Sequence, residues 1–346
     1  MKLSPEAIHA ADPKGMVADI LQQGPHLADA LWRADSAGLG DLDSPGGLVV
    51  CGMGGSAVGG DLAAAAIGGR LERPMITVRD YTLPSWVGPD ALVLCASYSG
   101  GTEETLAACA AAAELGARRV AMTTGGALAE AARSDGVPVI GVPSGLQPRA
   151  AVAYMTVGAL QCATAAGAAP DVRAEIEAAS TLLATLAAEW GPDAPEDSAA
   201  KALAHQLADT IAVVYGAGPT AAVASRWKTQ INENAKRPAF SATLPEADHN
   251  EICGWEASRE LARLSAVFLE DRDQDPRLRR RIDPTATAAA AGAVDVERVE
   301  ALGETAVERI MSLVFLGDLI SAYMAVLEGV DPTPVEAIDR FKAQLS

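Results

Sequence analysis

Short apolar runs recur along the chain, most of them separated by helical stretches, and two of them run straight into glycine-rich loops. Leu48–Cys51 runs into Gly52-Met53-Gly54-Gly55-Ser56-Ala57, and a helical run continues to about Ile67. Met75–Val78, Ala91–Ala96, Arg119–Thr123 and Val137–Ile140 follow. Strands separated by helices pair in parallel, because the crossover returns each strand in the same direction and the helices cover both faces of the sheet. The second half repeats the pattern. Ile211–Tyr215 enters Gly216-Ala217-Gly218-Pro219-Thr220, a helical run covers Ala221 to about Lys236, and Leu264–Leu269 is a further strand. The expected fold is therefore α/β, with two doubly wound parallel-sheet domains, the second more degenerate than the first.

Around these units the pattern predicts helix over residues 5–37 with a break near Gly24-Pro25, and a long helix from Ala150 to about Ala166. It also predicts an amphipathic helix from about Thr305 to Leu327 and a last helix ending near Lys342. The charged stretch Asp271 to Asp283 reads as a solvated loop or helix start. Gly191-Pro192-Asp193-Ala194-Pro195-Glu196-Asp197 has the composition of a linker. The expected domains are 1–192, N-terminal helices plus the first sheet, and 193–346, the second sheet plus the C-terminal helix.

A net charge of −18 argues against nucleic acid and anionic membranes as partners. It also means that an anionic substrate must be held by local donors. The five cysteines, Cys51, Cys95, Cys109, Cys162 and Cys253, are odd in number and widely spaced without a C-x-x-C, so they read as reduced thiols in a cytoplasmic protein. The N-terminal stretch has no signal-peptide pattern and no membrane span is evident.

One stretch concentrates the donors that an anion needs. Ser97-Tyr98-Ser99-Gly100-Gly101-Thr102-Glu103-Glu104-Thr105 lies where the 91–96 strand turns into a helix. A helix N-terminus offers unpaired N–H groups and about half a positive charge, glycines let the backbone close on a ligand, and hydroxyls add donors. A simple N-cap needs only one of these hydroxyls, and none of Ser97, Ser99 and Thr102 has the Glu or Gln three residues on that completes a capping box. A phosphate site accounts for all three. The 52–57 loop also fits the G-x-G-x-x-A dinucleotide fingerprint, with Asp80 near the position that would hold a ribose, but that motif does not call for the hydroxyl loop.

Two segments in the second half carry candidate acid–base groups. In Ile231-Asn232-Glu233-Asn234-Ala235-Lys236-Arg237-Pro238, two Asn flank a Glu near a helix end. Asn is a poor helix former, so the segment is either a solvated helix end or a carboxylate held by donors and used as a base. Leu244-Pro245-Glu246-Ala247-Asp248-His249-Asn250-Glu251 holds one of only four histidines. His249 is a structural group or a proton-transfer group, and a metal site at Asp248, His249 and Glu251 lacks a second histidine motif.

Together, GMGGS at 52–56, SYSGGTEET at 97–105, PRAA at 148–151, NENAK at 232–236, DHNE at 248–251 and IDRFK at 338–342 make the chain resemble the bifunctional phosphoglucose/phosphomannose isomerases of the sugar isomerase (SIS) superfamily. The resemblance spans essentially the whole chain. It implies a metal-independent and cofactor-free isomerase that interconverts glucose 6-phosphate and mannose 6-phosphate with fructose 6-phosphate through an enediolate. It implies that Ser97, Ser99 and Thr102 bind the sugar phosphate, with Gly54, Gly55 and Ser56 lining the pocket. Glu233 would be the base, Arg149 would stabilise the enediolate, and Lys342 would assist ring opening. His249 would open the ring, reaching the site of the other subunit of a homodimer. Gly101 departs from the family pattern, which usually shows Asn before Thr102. A SIS-type phosphosugar-binding regulator without catalysis, and an isomerase of one epimer or of another phosphosugar, are the alternatives.

Overall fold

The computed structural model describes residues 2–344. Two parallel sheets carry the chain. The first is built from β1 (Gly47–Cys51), β2 (Met75–Val78), β3 (Ala91–Ala96), β4 (Arg118–Thr123) and β5 (Val139–Gly141), in the order β2-β1-β3-β4-β5. The second has β6 (Ile211–Ala217), β7 (Ala239–Leu244), β8 (Leu264–Glu270) and β9 (Val296–Glu300), in the order β7-β6-β8-β9. Every pairing in both sheets is parallel. The second sheet thus repeats the order of the first without its last strand, which agrees with the expected repetition of one architecture.

The central strands are the apolar ones. Every residue of β1 and of β3 is buried, which is what a strand covered on both faces requires. Cys51 pairs with both Val78 and Cys95, so β1, β2 and β3 end in register. The strand order reverses between β1 and β3, and in such sheets the crevice beyond the carboxyl ends at that point is the ligand position. The loops Gly52–Met53 and Ser97–Thr102 leave the sheet there.

The packing divides the chain into two units. One holds the first sheet, Gln22–Ala184 with Gly303–Met311; the other holds the second, residues 2–21, Thr185–Leu302 and residues 312–344. This division differs from the expected boundary at 192–193, since the first two helices group with the second sheet and the helix Arg173–Trp190 is cut near its end.

Several elements depart from expectation for physical reasons. The N-terminal region forms Pro5–Ala11, Met16–Leu21 and Gln23–Ser36. The chain restarts because the Asp12 carboxylate accepts from the Met16 and Val17 N–H groups at 2.9 and 2.7 Å. The break expected near Gly24-Pro25 falls at Gln22, between the second and third helices, and Pro25 stands in the first turn of the new helix, where a missing N–H costs nothing. The charged 271–283 stretch is a helix start, one of its two expected forms: it opens the helix Pro276–Ala290, capped by the Asp275 side chain on the Arg277 N–H. The helix Ala306–Glu328 is not amphipathic. Its best window has a mean hydropathy of 2.0 and is 94% buried, as in the core helix of a folded domain. Its Asp318 meets Arg226 in a bidentate pair at 3.0 and 2.6 Å, both side chains 1% exposed. A buried charge survives there because its partner satisfies both oxygens.

All five cysteines are free thiols. Burial pushes the Cys51 and Cys162 thiols up to about 12, so neither is a nucleophile at neutral pH.

Candidate active site

In the first-sheet unit the hydroxyl loop folds on itself. Ser97 is fully buried, and its Oγ lies 2.8 Å from Thr102 Oγ1 while accepting from the Gly100 N–H at 3.1 Å. Ser99 is exposed, with its Oγ accepting from the Gly101 N–H at 3.3 Å. Thr102 is the N-cap of the helix Glu103–Glu114, yet its side chain makes no capping bond. The hydroxyls are therefore engaged with the loop and with each other, leaving the first N–H groups of the helix without a side-chain cap. That arrangement favours an anion at the helix end.

Glycine is required where the loop passes its neighbour. Gly100 has φ +69°, and a Cβ on it would stand 1.9 Å from the Gly125 carbonyl oxygen. Gly101 is different: a Cβ there would meet nothing within 4 Å. A side chain at Gly101 would therefore find room.

The glycine loop after β1 joins this loop to Arg149. Ser56 Oγ accepts from the Tyr98 N–H at 3.1 Å. The adjacent Gly55 lies so close to the Pro148–Arg149 backbone that a Cβ would stand 2.8 Å from the Pro148 oxygen and 3.1 Å from Arg149 Cα. The Tyr98 hydroxyl donates to the Pro143 carbonyl at 3.1 Å and accepts from the Leu146 N–H at 2.8 Å, pinning the segment that leads to Pro148. Gly54 is exposed and opens the helix Gly54–Ile67. Arg149, in the short helical turn Pro148–Ala151, is 3% exposed. The structure thus brings Gly54, Gly55, Ser56, Ser97, Ser99, Thr102 and Arg149 to one end of the first sheet. Sequence reasoning misses Tyr98 as a bracket, because its hydrogen-bond partners lie more than forty residues away.

The corresponding end of the second sheet is closed. Thr220 Oγ1 meets the Ala217 N–H and the Leu269 carbonyl, and Gln274 Nε2 donates to Ala217 O and to Thr220 Oγ1. Thr220 and Gln274 are buried, so the repeated glycine loop is filled by the protein's own side chains.

Glu233 lies in the second-sheet unit on a π turn, Ile231–Ala235, that continues the helix Thr220–Gln230. Such turns widen a helix locally and are frequent at functional sites. Asn232 Nδ2 donates to Arg237 O at 2.8 Å, and Asn234 Nδ2 donates to Ser321 Oγ at 2.9 Å. The paired asparagines therefore shape the turn. Glu233 itself is half-buried.

His249 is exposed at the end of the short helical turn Glu246–His249. Its acidic neighbours serve the fold: Asp248 accepts from Thr285 Oγ1 at 2.6 Å and Arg281 at 3.1 Å, and Glu251 accepts from the Tyr215 hydroxyl. Among the described residues no group of three or more His, Cys, Asp or Glu side chains is placed to hold a metal. Lys342 is exposed on the helix Glu336–Lys342. Glu233, His249 and Lys342 thus belong to one unit on three separate segments, and the hydroxyl loop and Arg149 belong to the other. At the end of β2, Arg79 pairs with Asp61, and Asp80 accepts from the Tyr81 N–H at 2.6 Å, so the aspartate of the dinucleotide reading is turned to its own backbone.

Comparison with known proteins is extensive. The bacterial phospho-glucose isomerase C-terminal SIS domain matches residues 196–345. A bifunctional phosphoglucose/phosphomannose isomerase of Caldicellulosiruptor bescii is 39% identical over 309 residues, 88% of this chain and 90% of that one. Its counterpart in Aquifex aeolicus is 35% identical over 306 residues, 88% of this chain and 92% of that one. Among solved structures, a hypothetical protein from Thermus thermophilus superposes with a TM-score of 0.75 at 19% identity, covering 98% of this chain and 93% of that one, a likeness of fold.

Proposed function

The chain belongs to the bifunctional phosphoglucose/phosphomannose isomerase family, and from that premise we propose how its own residues carry the reaction. It is an isomerase that interconverts glucose 6-phosphate and mannose 6-phosphate with fructose 6-phosphate. Ser97, Ser99 and Thr102, with the N-terminus of the helix Glu103–Glu114, hold the phosphate. The observation that carries this assignment is the hydroxyl cluster at a helix end whose N-cap side chain makes no cap. Gly54, Gly55 and Ser56 line the sugar side of the same pocket.

Aldose–ketose isomerisation removes a weakly acidic proton beside a carbonyl. Glu233 takes the proton from C2 of the aldose and returns it to C1, which gives the ketose. Negative charge builds on the enediolate oxygens between these steps. Arg149 supplies the fixed positive charge that stabilises it, and its burial keeps that charge from being screened by water. His249 moves the proton at the ring oxygen, with Lys342 assisting. Both C2 epimers reach the same planar enediolate, so one base position serves glucose and mannose 6-phosphate. The reaction as drawn needs no metal and no cofactor.

His249 lies on the surface of its own chain, as a residue that reaches a partner's site must. We therefore assign a homodimer in which His249 crosses the interface, and place it in the cytoplasm, where the buried thiols stay reduced. Fructose 6-phosphate formation from each aldose 6-phosphate, measured with a chelator present, tests the reading. Both sugars are expected to turn over at rates unchanged by the chelator. Turnover of only one contradicts the dual specificity, and loss of rate with the chelator contradicts the metal-free mechanism.

A further inference from the structure

One side chain joins the segment that carries Glu233 to the segment that leads to Lys342. Lys236 Nζ donates to the carbonyl oxygens of Glu233 at 2.7 Å, Asn234 at 3.3 Å and Pro332 at 3.0 Å. The first two belong to the π turn, at a helix end where carbonyls lack intrahelical partners. Pro332 lies between the helices Ala306–Glu328 and Glu336–Lys342. An ammonium has three hydrogens to give, and three carbonyls face it.

Lys236 holds this position in a conformation that L residues avoid. Its φ of 57° and ψ of 29° are left-handed, and it is the only non-glycine residue with positive φ among the described residues. Glycine is the usual occupant of such a position at a helix end. A lysine there keeps the backbone strain and supplies a side chain that glycine lacks. The strain, the π turn and the three-carbonyl contact all fall within four residues of Glu233. The neighbouring amides donate elsewhere as well, Asn232 to Arg237 O and Asn234 to Ser321 Oγ.

We propose that Lys236 is a positioning residue for the isomerisation. It fixes the turn that presents Glu233 and sets it against the Pro332 segment that precedes the helix of Lys342. It acts through those residues and takes no proton itself. The proposal rests on the reading of Glu233 as the base.

The test compares the full-length protein with Lys236→Gly, Lys236→Asn, Lys236→Arg and Glu233→Gln. Glycine and asparagine both accept the left-handed backbone and neither can span to Pro332. Expected are a kcat lowered by about 10- to 100-fold in both, with KM close to the parent value, since the loss is of alignment and not of phosphate binding. Lys236→Arg, which keeps charge and reach, is expected to recover most of the rate. Circular dichroism and competitive inhibition by inorganic phosphate are expected to match the parent in all variants. A parental kcat in Lys236→Gly and Lys236→Asn, with Glu233→Gln inactive, overturns the proposal and leaves Glu233 as the base. Sustained turnover in Glu233→Gln overturns both.

Discussion

Glu233→Gln is expected to lower kcat for both aldose 6-phosphates by about 1,000-fold or more, near the upper range for loss of a general base. The amide keeps the shape of the carboxylate but cannot accept the C2 proton. KM and inhibition by inorganic phosphate are expected to stay near parental values, because the proposed phosphate donors lie on the other unit. The fold is also expected to survive. The turn is held by Asn232, Asn234 and Lys236 through backbone and hydroxyl partners, and the hydrogen bond from Lys236 goes to the Glu233 carbonyl, which the substitution keeps. Steady-state rates on the two sugars, with phosphate inhibition run alongside, check this. A kcat within tenfold of the parent would remove Glu233 from the chemistry.

Arg149→Met has the next largest expected effect. Removing one preorganised charge from a developing oxyanion costs about 100- to 1,000-fold in kcat. Methionine fills part of the volume of a side chain that is 3% exposed, so the Pro148–Ala151 turn and its contact with Gly55 should persist. The signature is a fall in kcat and kcat/KM together with little change in KM, the pattern of an interaction made in the transition state. Thermal unfolding of the variant separates this from loss of fold. A raised KM with unchanged kcat would instead make Arg149 a ground-state phosphate ligand.

The parts of the molecule that can be read from sequence are those whose causes are local. β1 and β3 announce themselves as unbroken apolar runs, and the hydroxyl loop as donors packed between a strand and a helix. β7 and β9 carry no such run. They are edge strands, and in Val296-Glu297-Arg298-Val299-Glu300 three charged residues outnumber the valines and no residue is fully buried, so no apolar run marks the strand. The helix Ala306–Glu328 reads as amphipathic in sequence for a related reason. Asp318 looks like part of a polar face until Arg226, 92 residues away, is found against it.

The same limit applies at the site. Two asparagines near a helix end mark the 231–238 segment as unusual, and the structure gives the reason in a π turn. Part of what secures that turn is distant in sequence: Asn234 to Ser321 spans 87 residues and Lys236 to Pro332 spans 96. No local pattern encodes either contact. The glycine loop after β6 shows the converse. It repeats the pattern of the loop after β1, yet Thr220 and Gln274 close it. Gly100 and Gly101 look alike in sequence, and only the space around each shows that the first must be glycine and that no packing demand excludes a side chain at the second.

Proton transfer by a carboxylate through an enediolate leaves a signature in isotope exchange with solvent. Fructose 6-phosphate would be turned over in D2O, and the glucose and mannose 6-phosphates formed would be examined by NMR at C2. A base that holds the abstracted proton within reach of solvent predicts deuterium at C2 of both products, and at C1 of recovered fructose 6-phosphate. Complete retention of the original hydrogen, together with a near-parental rate in Glu233→Gln, would indicate direct hydride movement between the carbons and would contradict the role given to Glu233.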